Sequence, residues 1–402
     1  MTLLHRRQVL RQLMAAGTLP WATLSLATTA SPASGNRLIV VVLRGGLDGL
    51  AAVQAPGDPA FAEARGMLAQ TPAPVLPLAG TEFALHPHLA GLHALYARGE
   101  ALVVHATGLP YRERSHFDAQ QVLESGGTRP YELATGWLAR ALAPERRRSL
   151  ALNTAVPLLL RGPGEVDTWA PSVLPEPATD LVARLTRLYA ADEALAKALA
   201  RAKGLREDPD MAGMAANGSS GTGGGGRQAV LSLFRKAAEF AAQPQGPQAL
   251  VLEMGGWDSH AAQAAPQGAL SNNLALLDAA LTALRDGLTA AGARDTWQRT
   301  AVAVVTEFGR EVAINGTQGT DHGTGGVAFV LGGAVRGGRV MTDWPGLAKS
   351  QRHEGRDLRI TTDLRAVFKG LLADHLQLST ARLEREVFPD SAAVRPLALL
   401  RG

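Results

Sequence analysis

Continuous apolar segments rich in β-branched residues recur along the chain, and most of them end at glycines or polar residues. Such a segment is typical of a parallel strand that is buried on both faces of its sheet. Helical patterns fill the intervals, and this alternation predicts an α/β fold with three αβα layers around a mostly parallel sheet. The predicted strands are 37–43, 101–105, 249–254, 300–305 and 327–333.

The middle of the chain lacks this rhythm. A helix is predicted over 177–203, and 207–226 then loses all periodicity and contains four successive glycines. A flexible surface loop is the expected structure for such a composition. We interpret 160–226 as a helical or irregular, cap-like insertion in a single domain, 34–402, because candidate site motifs lie on both sides of it. Further helices are predicted at 86–98, from 115 onward, and at 136–142, 228–242, 270–290 and 363–376.

Residues 1–33 have the three parts of a secretory signal. Arg6 and Arg7 form a basic start, 13–27 is moderately apolar, and small residues follow. The adjacent arginines predict export by the twin-arginine translocase, and hence a periplasmic or secreted protein. A cytoplasmic basic helix and an uncleaved anchor are the alternative interpretations. No later segment is long and apolar enough to predict a stable transmembrane helix.

Charge and cysteine content exclude several function classes. The net charge is +4, and the three arginines of 1–33 account for +3 of it, which leaves +1 on the remainder. A nearly neutral mature chain argues against nucleic-acid binding, which needs a basic stripe. The absence of cysteine excludes disulfides, thiolate zinc sites and cysteine nucleophiles.

Carboxylates and imidazoles lie close to the ends of the predicted strands. In open α/β sheets, ligand sites form where the carboxyl ends of parallel strands meet. Asp258 and His260 point to the same side of an extended segment, because side chains alternate along it. Oxygen and imidazole ligands suit one or two Zn²⁺, Mn²⁺, Mg²⁺ or Ca²⁺ ions. The candidate metal ligands are Asp48, Asp258, His260, Glu307, Asp321 and His322.

Each candidate also has a purely structural interpretation. Asp48 is in a glycine-rich turn and fits a turn former. The segment 258–260 fits an ordinary polar loop, and Glu307 fits an ion pair with Arg310.

Two further candidates lie at the start of the predicted helix at 115. Ser115 fits an N-cap, and it also fits a nucleophile, because a helix N-terminus favours a bound anion. His116 is a candidate acid, base or additional ligand. His86 and His88 fit surface or core histidines, whereas His105 ends a predicted strand and is a candidate for the same edge.

Five motifs, in this order, resemble those of the secreted bacterial family called domain of unknown function 1501, over nearly the whole mature chain. That family often carries twin-arginine signals, and its fold is similar to that of the alkaline phosphatase and sulfatase superfamily. The motifs are at 44–50, 114–117, 255–260, 306–310 and 321–326.

The resemblance implies a two-metal site with a serine nucleophile. Ser115 matches the nucleophile that attacks phosphorus or sulfur. Asp258, His260 and His322 resemble the ligands of the first metal.

For the second metal, the resemblance implies Asp48 and Glu307 as ligands. Phe308 stands where the superfamily has a ligand histidine, and Asp321 or His116 is a candidate replacement.

These patterns lead to a hypothesis of an exported, metal-dependent hydrolase of phosphate or sulfate esters. The alternative is a catalytically degraded protein that binds a metal or a cell-envelope polymer and acts in binding or assembly. A small-molecule transferase on the same site is a third hypothesis.

Overall fold

The computed structural model describes residues 35–145, 147–171, 179–206, 224–263, 265, 268–290 and 293–401. The predicted signal at 1–33 lies outside these residues, and so does 207–223, which is most of the predicted glycine-rich loop. Gly35–Gly402 forms one compact unit.

The strands agree closely with the apolar segments of the sequence. They are β1 (Arg37–Leu43), β2 (Val53–Gln54), β3 (Leu76–Pro77), β4 (Ala84–Leu85), β5 (Ala101–Gly108), β6 (Ser149–Ala151), β7 (Val166–Thr168), β8 (Ala249–Met254), β9 (Thr300–Thr306), β10 (Gly326–Leu331), β11 (Arg339–Met341) and β12 (Thr362–Asp363).

Helices occupy most of the intervals. They are α1 (Gly49–Ala52), α2 (Phe61–Arg65), α3 (Ala90–Ala97), α4 (His116–Ser125), α5 (Trp137–Leu142), α6 (Thr179–Tyr189), α7 (Glu193–Arg206), α8 (Gly224–Ala242), α9 (Ala269–Thr289), α10 (Arg294–Gln298), α11 (Leu364–Asp374) and α12 (Thr380–Arg382).

A nine-stranded sheet forms the centre of the molecule, in the order β11-β5-β10-β9-β1-β8-β6-β7, with β12 also paired to β5. Strands β1, β8, β9, β6 and β7 pair in parallel, while β10 is antiparallel to both β9 and β5. Strands β11 and β12 are parallel to β5. The prediction of a mostly parallel sheet is therefore confirmed, and β10 is the strand that runs in the opposite direction.

Both faces of the sheet are covered. Along β1, the side chains of Ile39 and Val41 belong to one buried cluster, and those of Leu38 and Val40 belong to the other. This alternation is the period of two that a strand imposes. Helices α3, α8 and α9 supply buried residues to the first cluster, and α4, α5 and α11 supply them to the second. The three-layer arrangement is confirmed.

The structure corrects three predicted element boundaries. The helix predicted over 177–203 is two helices, because Asp192 Oδ1 accepts hydrogen bonds from the amides of Ala194 and Leu195 and begins α7 there. The last glycines of the predicted loop, from Gly224 onward, lie in α8. The helix predicted from residue 86 begins at Ala90.

Within the part of the chain that the structure describes, none of the helices has the length and apolarity needed to cross a membrane.

Tight packing joins the turn after β9 to the segment before β10. The amide of Gly309 donates to the carbonyl of Thr324, and the amide of Gly323 donates to the carbonyl of Gly309. A Cβ at Gly309 would collide with the carbonyl oxygen of Gly325. Only glycine therefore fits at this contact.

We predict that Gly309→Ala lowers the free energy of unfolding by about 1–3 kcal/mol, because backbone must shift to admit the methyl group. Gly255→Ala is the matched control, since no atom lies within 4 Å of a Cβ built there. Chemical denaturation of both variants measures the difference. Equal stability of the two variants would contradict the packing described here.

Candidate metal centre

Three side chains converge at the edge of the sheet where most strands end. Each of His116, Asp258 and His322 offers one ligand atom, and these atoms lie within 4.8 Å of one another. The Nε2 atoms of the two histidines are 3.0 Å apart. His322 Nε2 is 3.1 Å from Asp258 Oδ1, and His116 Nε2 is 3.4 Å from Asp258 Oδ2. We call these three residues the triad.

The sheet topology explains why distant parts of the chain meet here. His116 begins α4, which follows β5, and Asp258 follows β8. His322 precedes β10, and because β10 runs antiparallel, its amino end lies at the edge where the parallel strands end. One reversed strand therefore brings the loop before it to the edge at which ligand sites form in α/β sheets.

The outer nitrogen of each histidine is held by an acceptor. His116 Nδ1 is 2.8 Å from Glu307 Oε1, and His322 Nδ1 is 2.8 Å from the carbonyl oxygen of Arg114. Although burial opposes ionisation of Glu307, the hydrogen bond from His116 helps to keep the pKa of this carboxyl below its usual value. Because both partners only accept, each Nδ1 carries its hydrogen and each Nε2 presents a lone pair.

Two lone pairs and a carboxylate thus face one small space. Such a set needs a proton or a cation between its members, since acceptors at about 3 Å repel each other without one. Neighbouring ligands of an ion bound at about 2.0–2.2 Å have separations of this size. A carboxylate or carbonyl behind a ligating histidine is also the usual way in which metal sites fix the imidazole. The triad therefore fits a divalent ion.

The two histidines of the triad differ in proton affinity. The hydrogen bond to Glu307 raises the pKa of His116 despite its partial burial. Burial lowers the pKa of His322. In the metal-free protein, His116 is therefore the more basic of the two imidazoles.

Arg310 is a site residue that the sequence did not single out as one. Its buried guanidinium donates to Asp258 Oδ1 over 2.5 Å, and its Nε donates to Thr320 Oγ1. Burial opposes ionisation of Asp258, but the hydrogen bond from Arg310 lowers the pKa of this carboxyl. The pairing with Glu307 considered from the sequence is not observed, because Arg310 pairs with Asp258 instead.

Two predicted ligands lie beside the triad but outside it. His260 Nδ1 is 3.0 Å from Asp258 Oδ1, although the amide of Ser259 donates to the carbonyl of Trp257 and the segment is a turn and not an extended strand. The side chain of Asp321 does not join the triad, since its Oδ1 accepts a hydrogen bond from the side-chain Nδ2 of Asn315.

Asp48 also lies outside the triad. It forms a buried ion pair with Arg65, with 2.6 Å between Oδ2 and the guanidinium. His105, another candidate outside the triad, is fully buried, and its Nε2 contacts the carbonyl of Val53.

Ser115 takes the N-cap position of α4, but its side chain makes no capping hydrogen bond. Its neighbours on both sides contact the triad: the carbonyl of Arg114 holds His322, and His116 belongs to it. Phe308 closes one face of the site. Its ring centre lies 4.7 Å from that of His116 and 5.0 Å from that of His322.

The triad is open to solvent. The side chain of Asp258 is 41% exposed, and those of His116 and His322 are 22% and 23% exposed. A solute can therefore reach the Nε2 atoms from outside.

The sequence model of the family described as "Protein of unknown function (DUF1501)" matches residues 62–388. The chain belongs to this family. The matched region contains Ser115 and the whole triad, whereas Asp48 precedes it. No curated protein matches the chain.

Solved structures match at low identity. BT1596, a 2-O GAG sulfatase, is 11% identical with a TM-score of 0.45, over 90% of this chain and 73% of that one. The lipoteichoic acid synthase LtaP from Listeria monocytogenes is 11% identical with a TM-score of 0.40, over 88% and 76%. The PsFucS1 sulfatase from Pseudoalteromonas sp. is 12% identical with a TM-score of 0.36, over 76% and 64%. These TM-scores and sequence identities are too low to indicate an activity for this chain.

We predict that Glu307→Gln lowers the pKa of His116 toward 6.5 in the metal-free protein, because the variant removes the carboxylate that raises it. An NMR titration of the imidazole protons measures this. Glu311→Gln is the control, since Glu311 pairs with Arg356. An unchanged pKa of His116 in Glu307→Gln would contradict the assigned hydrogen bond.

The raised pKa of His116 also determines how the stability of the metal-free protein changes with pH. A folded pKa above the unfolded value of 6.5 means that the stability from His116 is complete below pH 6.5. It is lost as pH rises through the folded pKa. Glu307→Gln should therefore lower the free energy of unfolding of the metal-free protein more at pH values below 6.5 than at pH values above the folded pKa of His116.

Proposed function

We propose that this chain is an exported, metal-dependent hydrolase of phosphate or sulfate esters, with Ser115 as the nucleophile. The observation that carries the proposal is the convergence of two imidazole lone pairs and a carboxylate in the triad. Both imidazoles are fixed from behind, so the site is organised before any ligand arrives.

The ion would be held by His116, Asp258 and His322. A divalent ion bound there would polarise the ester oxygens and stabilise the negative charge that develops on them. Glu307 and the carbonyl of Arg114 orient the two imidazoles, and Arg310 orients the carboxylate.

The position of Ser115 supports its role as nucleophile. Its hydroxyl is not used for capping, and it stands at the first turn of a ten-residue helix. The first amides of a helix lack intrahelical partners, and the helix dipole favours an anion at this end. A phosphate or sulfate group bound next to the triad would therefore be attracted to the residue proposed to attack it.

In the proposed reaction, the Oγ atom of Ser115 attacks phosphorus or sulfur, and the bond to the alcohol oxygen breaks. The alcohol leaves with the proton that Ser115 gives up. Water then attacks the serine ester, which restores the hydroxyl and releases phosphate or sulfate.

The part of the proposal that concerns export rests only on the predicted twin-arginine signal at residues 1–33. We also propose that the helical part of the insertion at 160–226 selects the alcohol part of the substrate. Helix α6 contributes no buried residue to the core. The start of the insertion does not belong to such a cap, because β7 pairs within the central sheet and Leu160 and Trp169 are buried in the core.

Phe308 favours a second candidate function. It stands where the resemblance implies a ligand histidine, and it packs against both imidazoles without offering a ligand atom. A protein that binds a metal or an envelope polymer without hydrolysing esters would tolerate this replacement.

We predict that Ser115→Ala lowers ester hydrolysis by about 10³-fold or more, because a nucleophile is lost. The metal content of the variant should stay unchanged. The assay uses mature protein loaded with Zn²⁺ or Mn²⁺ on aryl phosphates and aryl sulfates, and elemental analysis gives the metal content. Ser350→Ala is the control, since Ser350 lies exposed in the 3₁₀ turn Lys349–Gln351.

Full hydrolysis by Ser115→Ala would remove Ser115 from the mechanism. Metal binding without hydrolysis of any ester by the wild-type protein would favour the binding function.

A further inference from the structure

We propose that the site holds a single metal ion, at the triad, and that the guanidinium of Arg65 permanently supplies the positive charge that Asp48 would otherwise obtain from a second ion. This inference rests on the proposed metal site but not on ester hydrolysis. It departs from the two ions that the sequence resemblance implies.

The carboxylate of Asp48 is already saturated with donors. Its Oδ1 accepts from the amide of Ala51 over 3.1 Å. Its Oδ2 accepts from Arg65 over 2.6 Å and from Gln263 over 2.5 Å. The side chain is 1% exposed, so neither solvent nor an ion reaches it without displacing these partners.

Arg65 is held in place from its other side. Its Nη1 donates to the carbonyl of Val312 over 2.9 Å and lies 3.4 Å from that of Glu311. The side chain is fully buried. A guanidinium fixed at both ends behaves as a resident cation, because leaving would strand a buried charge on either side.

Glu307, the other carboxylate implied for a second ion, is buried, and one of its two oxygens is fully occupied. Its Oε1 accepts from the amide of Gly45, from His116 and from Gln120. Its Oε2 lies 3.1 Å from the hydroxyl of Thr306. Glu307 therefore acts as a positioning residue for His116, and its Oε1 atom already has three hydrogen-bond partners.

A chain of hydrogen bonds connects Asp48 to Asp258. Gln263 bonds to Asp48 through its amide nitrogen and accepts from the hydroxyl of Thr320 through its oxygen. Thr320 in turn accepts from Arg310, which donates to Asp258. Each acidic end of this chain is therefore matched by one buried guanidinium, Arg65 for Asp48 and Arg310 for Asp258.

Charge balance points to the same number of ions. The three carboxylates Asp48, Asp258 and Glu307 face two guanidiniums, Arg65 and Arg310, which leaves one negative charge. One divalent ion would turn this into a single positive charge, which suits an anionic ester. A second divalent ion would add two more charges in a region where neither Asp48 nor Glu307 has solvent contact, and unpaired buried charge is strongly unfavourable.

The test is the metal stoichiometry of the mature protein, loaded with excess Zn²⁺ or Mn²⁺ and freed of unbound metal by gel filtration. We expect one equivalent for the wild type and for Asp48→Asn. We expect none for Asp258→Asn and His322→Ala. Asp278→Asn is the control for loss of a half-buried, hydrogen-bonded carboxylate, since Asp278 accepts from the amides of Gly91 and Leu92 and takes no part in the site.

Two equivalents in the wild type would overturn this inference and leave the proposed function intact. No bound metal would overturn both. Loss of the single ion in a folded Asp48→Asn protein would also overturn it, because Asp48 would then be a ligand. If Asp48→Asn does not fold, the wild-type stoichiometry decides alone.

Discussion

The Nε2 atoms of His116 and His322 face each other at 3.0 Å, and each ring is fixed from behind by an atom that can only accept a hydrogen bond. This contact determines how the site works. It forces both lone pairs into one space together with the carboxylate of Asp258, so the arrangement requires a positive charge at its centre. His116 is the more basic of the two imidazoles in the metal-free protein, and the donor set suits a divalent ion.

The rest of the fold serves to hold that contact. Buried parallel strands place the residues before α4 and after β8 at one edge, and the reversal of β10 adds the loop that carries His322. Glycines let the turn after β9 lie directly on this loop, so that Arg310 reaches Asp258 from beneath. The positive charges of Arg65 and Arg310 then offset two of the three acids without any bound ion.

The local pattern of the sequence was sufficient to predict the strands and the edge at which most of them end. The local pattern was not sufficient to predict which side chains the candidate site residues contact. Glu307 and His116 are separated by 191 positions, and no periodicity connects them. The direction of β10 is likewise invisible in an apolar run, because parallel and antiparallel central strands look alike in sequence. The ion pair of Asp48 with Arg65, 17 positions away, has no sign in the sequence either, where Asp48 fits both a turn former and a metal ligand.

The central claim is that a cation belongs between the imidazoles of His116 and His322. Anomalous diffraction from crystals of the mature protein, grown with Zn²⁺ or Mn²⁺, tests it most directly. The account predicts one anomalous peak, about 2.0–2.2 Å from the Nε2 atoms of both histidines and from an oxygen of Asp258. A peak elsewhere, or no peak at the triad at saturating metal, would contradict it.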